Sequence, residues 1–286
     1  MPLIVLFAVS LAAGAAGAFV VSRDPFRALA TDPPNGFGAV IALKAAARRN
    51  GIKRRLASAR HRRAAASLAL CAAVTVFVVG WLCVGALALL IREHSAIALN
   101  IDSGVAEWGY RNASRLSQGV IDVVTFLGDT LIVVGLAAIL LIIEFGRRRS
   151  RAILLFIVAI VVGDAAITLG AKLLIDRARP TLNPITRTLG PSFPSGHASM
   201  AAAFFAAAAL LLSQGRGRRA TALLGGLAVG IAVAVAATRV LLDVHWLSDA
   251  IAGLAFGWAW FAFCVLAFDG SLRFSPRNRP AKTASQ

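Results

Sequence analysis

The chain alternates long apolar stretches with short, strongly basic ones, and that alternation leaves few folds open to it. Seven apolar stretches lie at approximately residues 2–21, 65–91, 120–145, 152–172, 199–213, 220–240 and 247–268. A hydrocarbon layer of roughly 30 Å needs about 20 apolar residues per helix, so each is a candidate membrane span, the fifth being the shortest. With 58% hydrophobic residues, 15% charged residues and a mean hydropathy of +0.77, the chain falls outside the range of ordinary soluble domains. The expected fold is an all-α polytopic membrane helix bundle. It divides into an extra amino-terminal helix (1–22), a basic linker (23–64), a six-helix core (65–268) and a basic tail (269–286).

A net charge of +17 raises the question of nucleic-acid binding, but the charge separates by loop. Residues 23–63 hold eleven Lys/Arg against Asp24 and Asp32, residues 146–151 hold four Arg, residues 216–219 hold three, and the tail nets three. Crossing the membrane at every apolar stretch puts all four segments on one side, which the positive-inside rule identifies as cytoplasmic. The linker's cluster, Arg48, Arg49, Lys53, Arg54, Arg55, Arg60, Arg62 and Arg63, has no interleaved aromatics beyond Phe37. It therefore reads as a solvated topogenic flank near membrane lipids and not as a stacking platform for bases. Residues 2–21 have the apolar length of a signal peptide, yet no basic residue precedes them, and cleavage would leave the basic linker outside. They are read as a retained helix with its amino end outward. The Ala- and Arg-rich composition points to a bacterial plasma (inner) membrane.

Residues 92–129 carry a net charge of −2, as an external loop should, and residues 92–118, with Trp108 and Tyr110, read as a loop with an interfacial helix. Residues 172–198 break the pattern, with Lys172, Arg177, Arg179 and Arg187 against Asp176 on the external side. This exception calls for a chemical reason. Gly226 with Gly230, and Gly253 with Gly257, have the spacing that lets membrane helices approach closely, and would pack the sixth and seventh stretches together. Cys71, Cys83 and Cys264 sit inside apolar stretches and read as packing residues. Asn112-Ala113-Ser114 matches the short glycosylation pattern.

Three clusters at external ends of the spans can carry chemistry. In the first, Lys172 and Arg179-Pro180 are seven apart, about two turns if the helix continues, so both cations can meet one anion. In the second, Pro194-Ser195-Gly196-His197 precedes an alanine-rich helix. Ser195 is placed as an N-cap, Gly196 lets backbone N–H groups approach a ligand, and His197 titrates near neutral pH. In the third, Arg239 is followed by His245 and Asp249, which on a helix would share a face and let the carboxylate accept the Nδ1–H, leaving Nε2 free. Cations, backbone donors, a hydroxyl, an oriented imidazole and a second imidazole are what phosphoryl transfer needs. Singly, Arg239, Lys172 and Arg179 would be interfacial anchors and each histidine a structural one; their joint occurrence removes most of that weight.

These residues resemble the type 2 phosphatidic acid phosphatase and vanadium haloperoxidase superfamily, whose signature is KxxxxxxRP, then PSGH, then SRxxxxxHxxxD. All three parts occur in order, at Lys172 to Pro180, Pro194 to His197, and Arg239 to Asp249, with Thr238 in place of the usual serine. The likeness covers roughly Asp102 to Phe268. It implies a six-helix phosphatase core in which His245 attacks phosphorus and forms a phosphohistidine. Asp249 would orient His245, and His197 would protonate the leaving oxygen. Lys172, Arg179, Ser195, Gly196 and Arg239 would bind the phosphate. It implies no metal and no other cofactor, and a lipid phosphate substrate whose tail enters laterally. Candidates are a polyprenyl diphosphate, which is favoured, a phosphatidylglycerol phosphate, phosphatidic acid or lipid A. A phosphotransferase passing phosphate to an alcohol, or a transporter or scaffold with a degenerate site, are the alternatives; the oxidising relatives are soluble, and this chain is not. Asp164, inside the fourth stretch, is left with a structural or a substrate-channel role. Arg177 and Asp176 are read as supporting the site by contacting a diphosphate or positioning Arg179, and Trp246 as an interfacial anchor.

Overall fold

The computed structural model describes residues 2–22, 70–112, 115–148, 150–182 and 190–272. The basic linker, Arg187, Ser114 of the glycosylation pattern and the tail beyond 272 lie outside them. All regular structure among the described residues is helical. In order these are α1 (Pro2–Ser22), α2 (Leu70–Arg92), α3 (Ala96–Asn112), α4 (Arg115–Thr125), α5 (Thr130–Arg148), α6 (Arg151–Val158), α7 (Asp164–Ile175), α8 (Gly196–Ser213), α9 (Arg218–Leu241) and α10 (Leu247–Leu272). Among the described residues six helices are long and apolar enough to cross a membrane: α2, α5, the continuous α6–α7 rod, α8, α9 and α10. A helix satisfies its own backbone polar groups, which is why a chain of apolar stretches adopts this form.

The third apolar stretch does not run from 120 as expected. Residues 115–125 form the separate α4, a single 3-10 turn follows at Phe126–Gly128, and the span starts at Thr130. Asp129 causes the break: its carboxylate accepts the N–H of Leu131 at 2.9 Å and of Ile132 at 3.4 Å, capping α5. The fifth stretch starts at Gly196, three residues earlier than expected. Residues 92–118, expected to be an external loop with an interfacial helix, contain the helix α3, with Ile97, Ile101, Trp108 and Tyr110 exposed.

Between α6 and α7 the rod passes through a π-helical turn, Ala159–Gly163. The indole of Trp260 lies against Gly163 so closely that no Cβ could be added there, and its Nε1 donates to the Ala159 carbonyl at 3.0 Å. That bond satisfies a carbonyl freed by the irregular turn.

The glycine pairs are used differently from the expectation that they join the sixth and seventh stretches. Gly226 and Gly230 of α9 receive α1: a Cβ on Gly226 would lie 2.5 Å from the Gly14 carbonyl oxygen, and one on Gly230 would lie 3.2 Å from that of Ser10. Leu6 packs with Leu242 and Val244 beyond the other end of α9, so α1 runs antiparallel to it. Gly253 and Gly257 of α10 instead face α8, where a Cβ on Gly253 would sit 2.5 Å from the Ser195 carbonyl oxygen. Small residues continue on the facing side with Ala198, Ser199 and Ala202, all fully buried. Backbones in van der Waals contact fix the ends of α8 and α10 relative to one another. Gly253→Val is expected to cost about 1–3 kcal/mol through overpacking, read as a lower unfolding temperature of the detergent-solubilised protein; wild-type stability would show that the contact is not tight.

Candidate active site

The carboxyl ends of α7 and α9 and the amino ends of α5, α8 and α10 meet at one end of the bundle, covered by α3 and α4. All eight residues singled out in the sequence lie there, although the local structures that deliver them differ from expectation. Helix α7 does not continue to Arg179. Asp176 takes the left-handed conformation (φ 45°) and ends it, so Arg179 lies in an extended segment. Lys172 and Arg179 converge nonetheless, on the Pro191 carbonyl, with Nζ at 2.8 Å and Nη2 at 3.2 Å. Arg179 also donates to the carbonyls of Gly190 (2.9 Å) and Val244 (2.7 Å). These bonds aim both cations by backbone acceptors, without cancelling their charge by a carboxylate.

Ser195 stands at the N-cap position of α8 as expected, but its hydroxyl makes no cap bond. It is fully buried, and its Oγ has no protein partner among the described residues. Its backbone N–H is held by the Asp249 carbonyl at 3.0 Å. Arg239, at the end of α9, donates through Nη1 to Thr125 Oγ1 at 2.9 Å, while its buried Nε has no partner among the described residues. Thr238 turns its hydroxyl back onto its own helix, to the Val235 carbonyl at 2.6 Å. An unsatisfied buried polar group costs about 1–3 kcal/mol. Two of them on motif residues mark a place built to be completed by a ligand. Gly128 adjoins the same place: a Cβ there would lie 2.7 Å from the His197 carbonyl oxygen, so the turn before α5 closes directly onto His197.

His245 does not share a helical face with Asp249. It lies in the turn before α10, while Asp249 is in the first turn of that helix. The carboxylate reaches back, with Oδ2 accepting the Trp246 N–H at 3.0 Å and standing 3.5 Å from His245 Nδ1. That imidazole contact is long, and Nδ1 has no closer partner among the described residues. On the other side of the ring, Arg179 Nη1 stands 3.3 Å from Nε2. A guanidinium can only donate, so Nε2 is the unprotonated nitrogen and the proton sits on Nδ1, toward Asp249. Burial pushes the imidazole pKa down to about 4; Asp249 opposes the shift, and the charges of Arg179 and Arg239 reinforce it. His245 is therefore neutral at pH 7, with the lone pair of its unprotonated Nε2 facing Arg179.

The sequence reading missed the buried charge cluster behind this pair. Arg177 does not support Arg179. Its Nη1 donates to Asp249 Oδ1 (2.6 Å) and Ser248 Oγ (2.7 Å), and its Nη2 to Asp102 Oδ2 (2.8 Å). Asp102, from α3, also accepts the Ser248 N–H at 2.9 Å and its hydroxyl at 2.5 Å. Trp246 is likewise more than an anchor. Its ring lies 5.4 Å from the Arg177 guanidinium carbon, and its Nε1 donates to the Ala178 carbonyl at 2.9 Å. The one sequence signal was the unexplained excess of cations in residues 172–198, which included Arg177. Nothing in the spacing could have paired it with a residue 75 positions away.

Among the described residues no three His, Cys, Asp or Glu side chains cluster as metal ligands. The donor set is one of cations, hydroxyls and amides, suited to an oxyanion. Arg177→Ala leaves two buried carboxylates without their cation and is expected to destabilise the protein by about 3–5 kcal/mol. Arg179→Ala, which loses bonds to carbonyls and the contact with His245 Nε2 but strands no carboxylate, should cost much less. Unfolding temperatures of the two variants would separate them, and equal losses would contradict the assignment of Arg177 as the structural cation.

Residues 151–273 match the PAP2 superfamily profile. Over 71 residues the chain is 45% and 44% identical to the lipid A 1-phosphatases of Rhizobium johnstonii and Rhizobium etli, covering 25% of this chain in both cases and 25% and 26% of those proteins. It is 32% identical over 104 residues to phosphatidylglycerophosphatase B of Bacillus subtilis, covering 35% of this chain and 49% of that one. The chain thus matches half or less of the length of each of these curated relatives. The crystal structure of a transmembrane PAP2-type phosphatidylglycerolphosphate phosphatase from Bacillus subtilis superposes with a TM-score of 0.60 at 24% identity, over 70% of this chain and 97% of that one. The chain has the transmembrane PAP2 fold, and the part of it that carries Lys172, the Ser195-Gly196-His197 turn, Arg239, His245 and Asp249 is the part that matches the PAP2 superfamily.

Proposed function

We propose that the chain is a lipid phosphate phosphatase working through a covalent phosphohistidine at His245. The observation that carries this reading is the state of His245: buried, neutral, with its Nε2 lone pair beside Arg179 and its Nδ1 proton toward Asp249. In this reading Nε2 attacks phosphorus in line. Arg179, Lys172, Arg239, Ser195 Oγ and the backbone N–H groups at the start of α8 hold the equatorial oxygens as their charge redistributes. Asp249 stabilises the positive imidazole that forms, and Arg177 keeps Asp249 ionised and aimed. His197 protonates the leaving oxygen and then deprotonates the water that breaks the N–P bond.

The substrate class follows from the setting. The site lies at one end of membrane-spanning helices, level with their ends, where a lipid headgroup would lie. The charge distribution supports an extracytoplasmic site in a plasma membrane: Arg147, Arg151, Arg216, Arg218 and Arg219 all stand at the opposite end of the bundle. Helix α1, packed along α9 with its amino end on the site side, supports a retained first helix. The same set of residues would serve a phosphotransferase, and product analysis with water and alcohol acceptors separates the two.

Purified protein is expected to release phosphate from at least one member of a panel of phosphatidic acid, phosphatidylglycerol phosphate, polyprenyl diphosphate and lipid A, with chelator present. His245→Ala should lower kcat by at least roughly a thousandfold, and His197→Ala by about 100- to 10,000-fold. Full activity in His245→Ala would end this proposal.

A further inference from the structure

A cavity of about 190 Å³ adjoins the site on its membrane side, between α5, α7 and α8. Lys172, Gly196 and His197 line its upper part, and Thr130, Asp164 and Thr168 continue it. Asp164 is 1% exposed and Thr168 5% exposed. Ser199 donates to Asp164 Oδ1 at 2.5 Å, but Asp164 Oδ2 and Thr168 Oγ1 have no partner among the described residues. A threonine inside a helix normally bonds back to its own helix's carbonyl, as Thr238 does here, so the unused hydroxyl of Thr168 stands out. Helix packing explains Asp164 Oδ1 and leaves the rest. Within a bilayer, two acceptor-bearing groups facing one cavity are costly unless something donates to them.

The position of the cavity says what that donor would belong to. His197 is the group assigned to the leaving oxygen, and Ser199, two residues further along α8, ties Asp164 to the same stretch of helix. Gly196 presents only backbone there, with Thr168 Cγ2 3.7 Å and Lys172 Cε 4.0 Å from where its Cβ would be. A lipid whose phosphate lies among Lys172, Arg179, Arg239 and His245 would bring the carbons beside its leaving oxygen past His197 and into this cavity.

Resting on the phosphatase reading above, we propose that Asp164 and Thr168 form a subsite for a hydrogen-bond donor, a hydroxyl or amide N–H, carried on the carbon next to the one bearing the scissile phosphate. A glycerol phosphate headgroup supplies the hydroxyl, and an acylated glucosamine 1-phosphate supplies the amide. Phosphatidic acid has only esters at that position. A polyprenyl diphosphate would place a second phosphate against Asp164, so the subsite ranks it below the other candidates, reversing the preference drawn from the sequence.

The test compares kcat/KM of full-length protein for phosphatidylglycerol phosphate, its deoxy analogue lacking only the hydroxyl of the middle headgroup carbon, an acylated glucosamine 1-phosphate lipid, and phosphatidic acid. Wild type should favour one or both donor-bearing lipids by roughly 10- to 100-fold over the deoxy analogue and phosphatidic acid, and the preferred one identifies the donor. Asp164→Asn retains an oxygen for Ser199 and turns an amide donor into the cavity; Thr168→Val keeps shape and removes the hydroxyl. Each should bring the selectivity ratio toward one. A wild-type ratio near one, or variants that slow every substrate equally with the ratio intact, would overturn the subsite while leaving the phosphatase reading in place. Release from none of the four lipids would instead overturn the phosphatase reading, and the subsite with it.

Discussion

Arg177, held between Asp102 and Asp249, is the interaction on which the site geometry depends. Each partner comes from a different part of the chain: helix α3, the extended segment after α7, and the first turn of α10. One cation between two buried carboxylates makes each of them tolerable out of water, and the hydroxyl and N–H of Ser248 complete the coordination of Asp102. With Oδ1 of Asp249 committed to Arg177, its Oδ2 is left for Trp246 N–H and the imidazole. The orientation of the proposed nucleophile is thus transmitted from a loop helix that contains none of the signature residues.

Close helix contacts act at the next level. Gly253 and Gly257 let α10 approach the start of α8, and the Asp249 carbonyl then accepts the Ser195 N–H, so the two motif turns are joined through backbone alone. Gly128 brings the turn before α5 against His197 by the same means. In a bilayer, where burial against lipid gives helices little reason to associate, such contacts and the polar cluster hold the ends of the bundle together.

Much of this was legible in the sequence because the governing signals are local. Apolar length gave the spans, and three short motifs gave the residues that meet at one end. The failures share a cause as well. The break at Asp129, the left-handed turn at Asp176 and the turn at His245 each end a helix where uninterrupted periodicity was assumed, and each is set by a cap or by a positive φ that apolar periodicity does not report. The pairing of Arg177 with Asp102, and of Asp164 with Ser199, depends on contacts between residues 75 and 35 positions apart. The partner of Gly226 and Gly230 was missed because close-packing glycines state that a neighbour is near without saying which one.

The central claim is that His245 carries the phosphoryl group during turnover. Protein mixed with a lipid phosphate radiolabelled in its terminal phosphate, quenched within a single turnover and digested, tests it most directly. The account predicts an acid-labile, alkali-stable label on the peptide containing His245, absent from His245→Ala. Label on another residue, or turnover with no labelled protein at any time point, would contradict it.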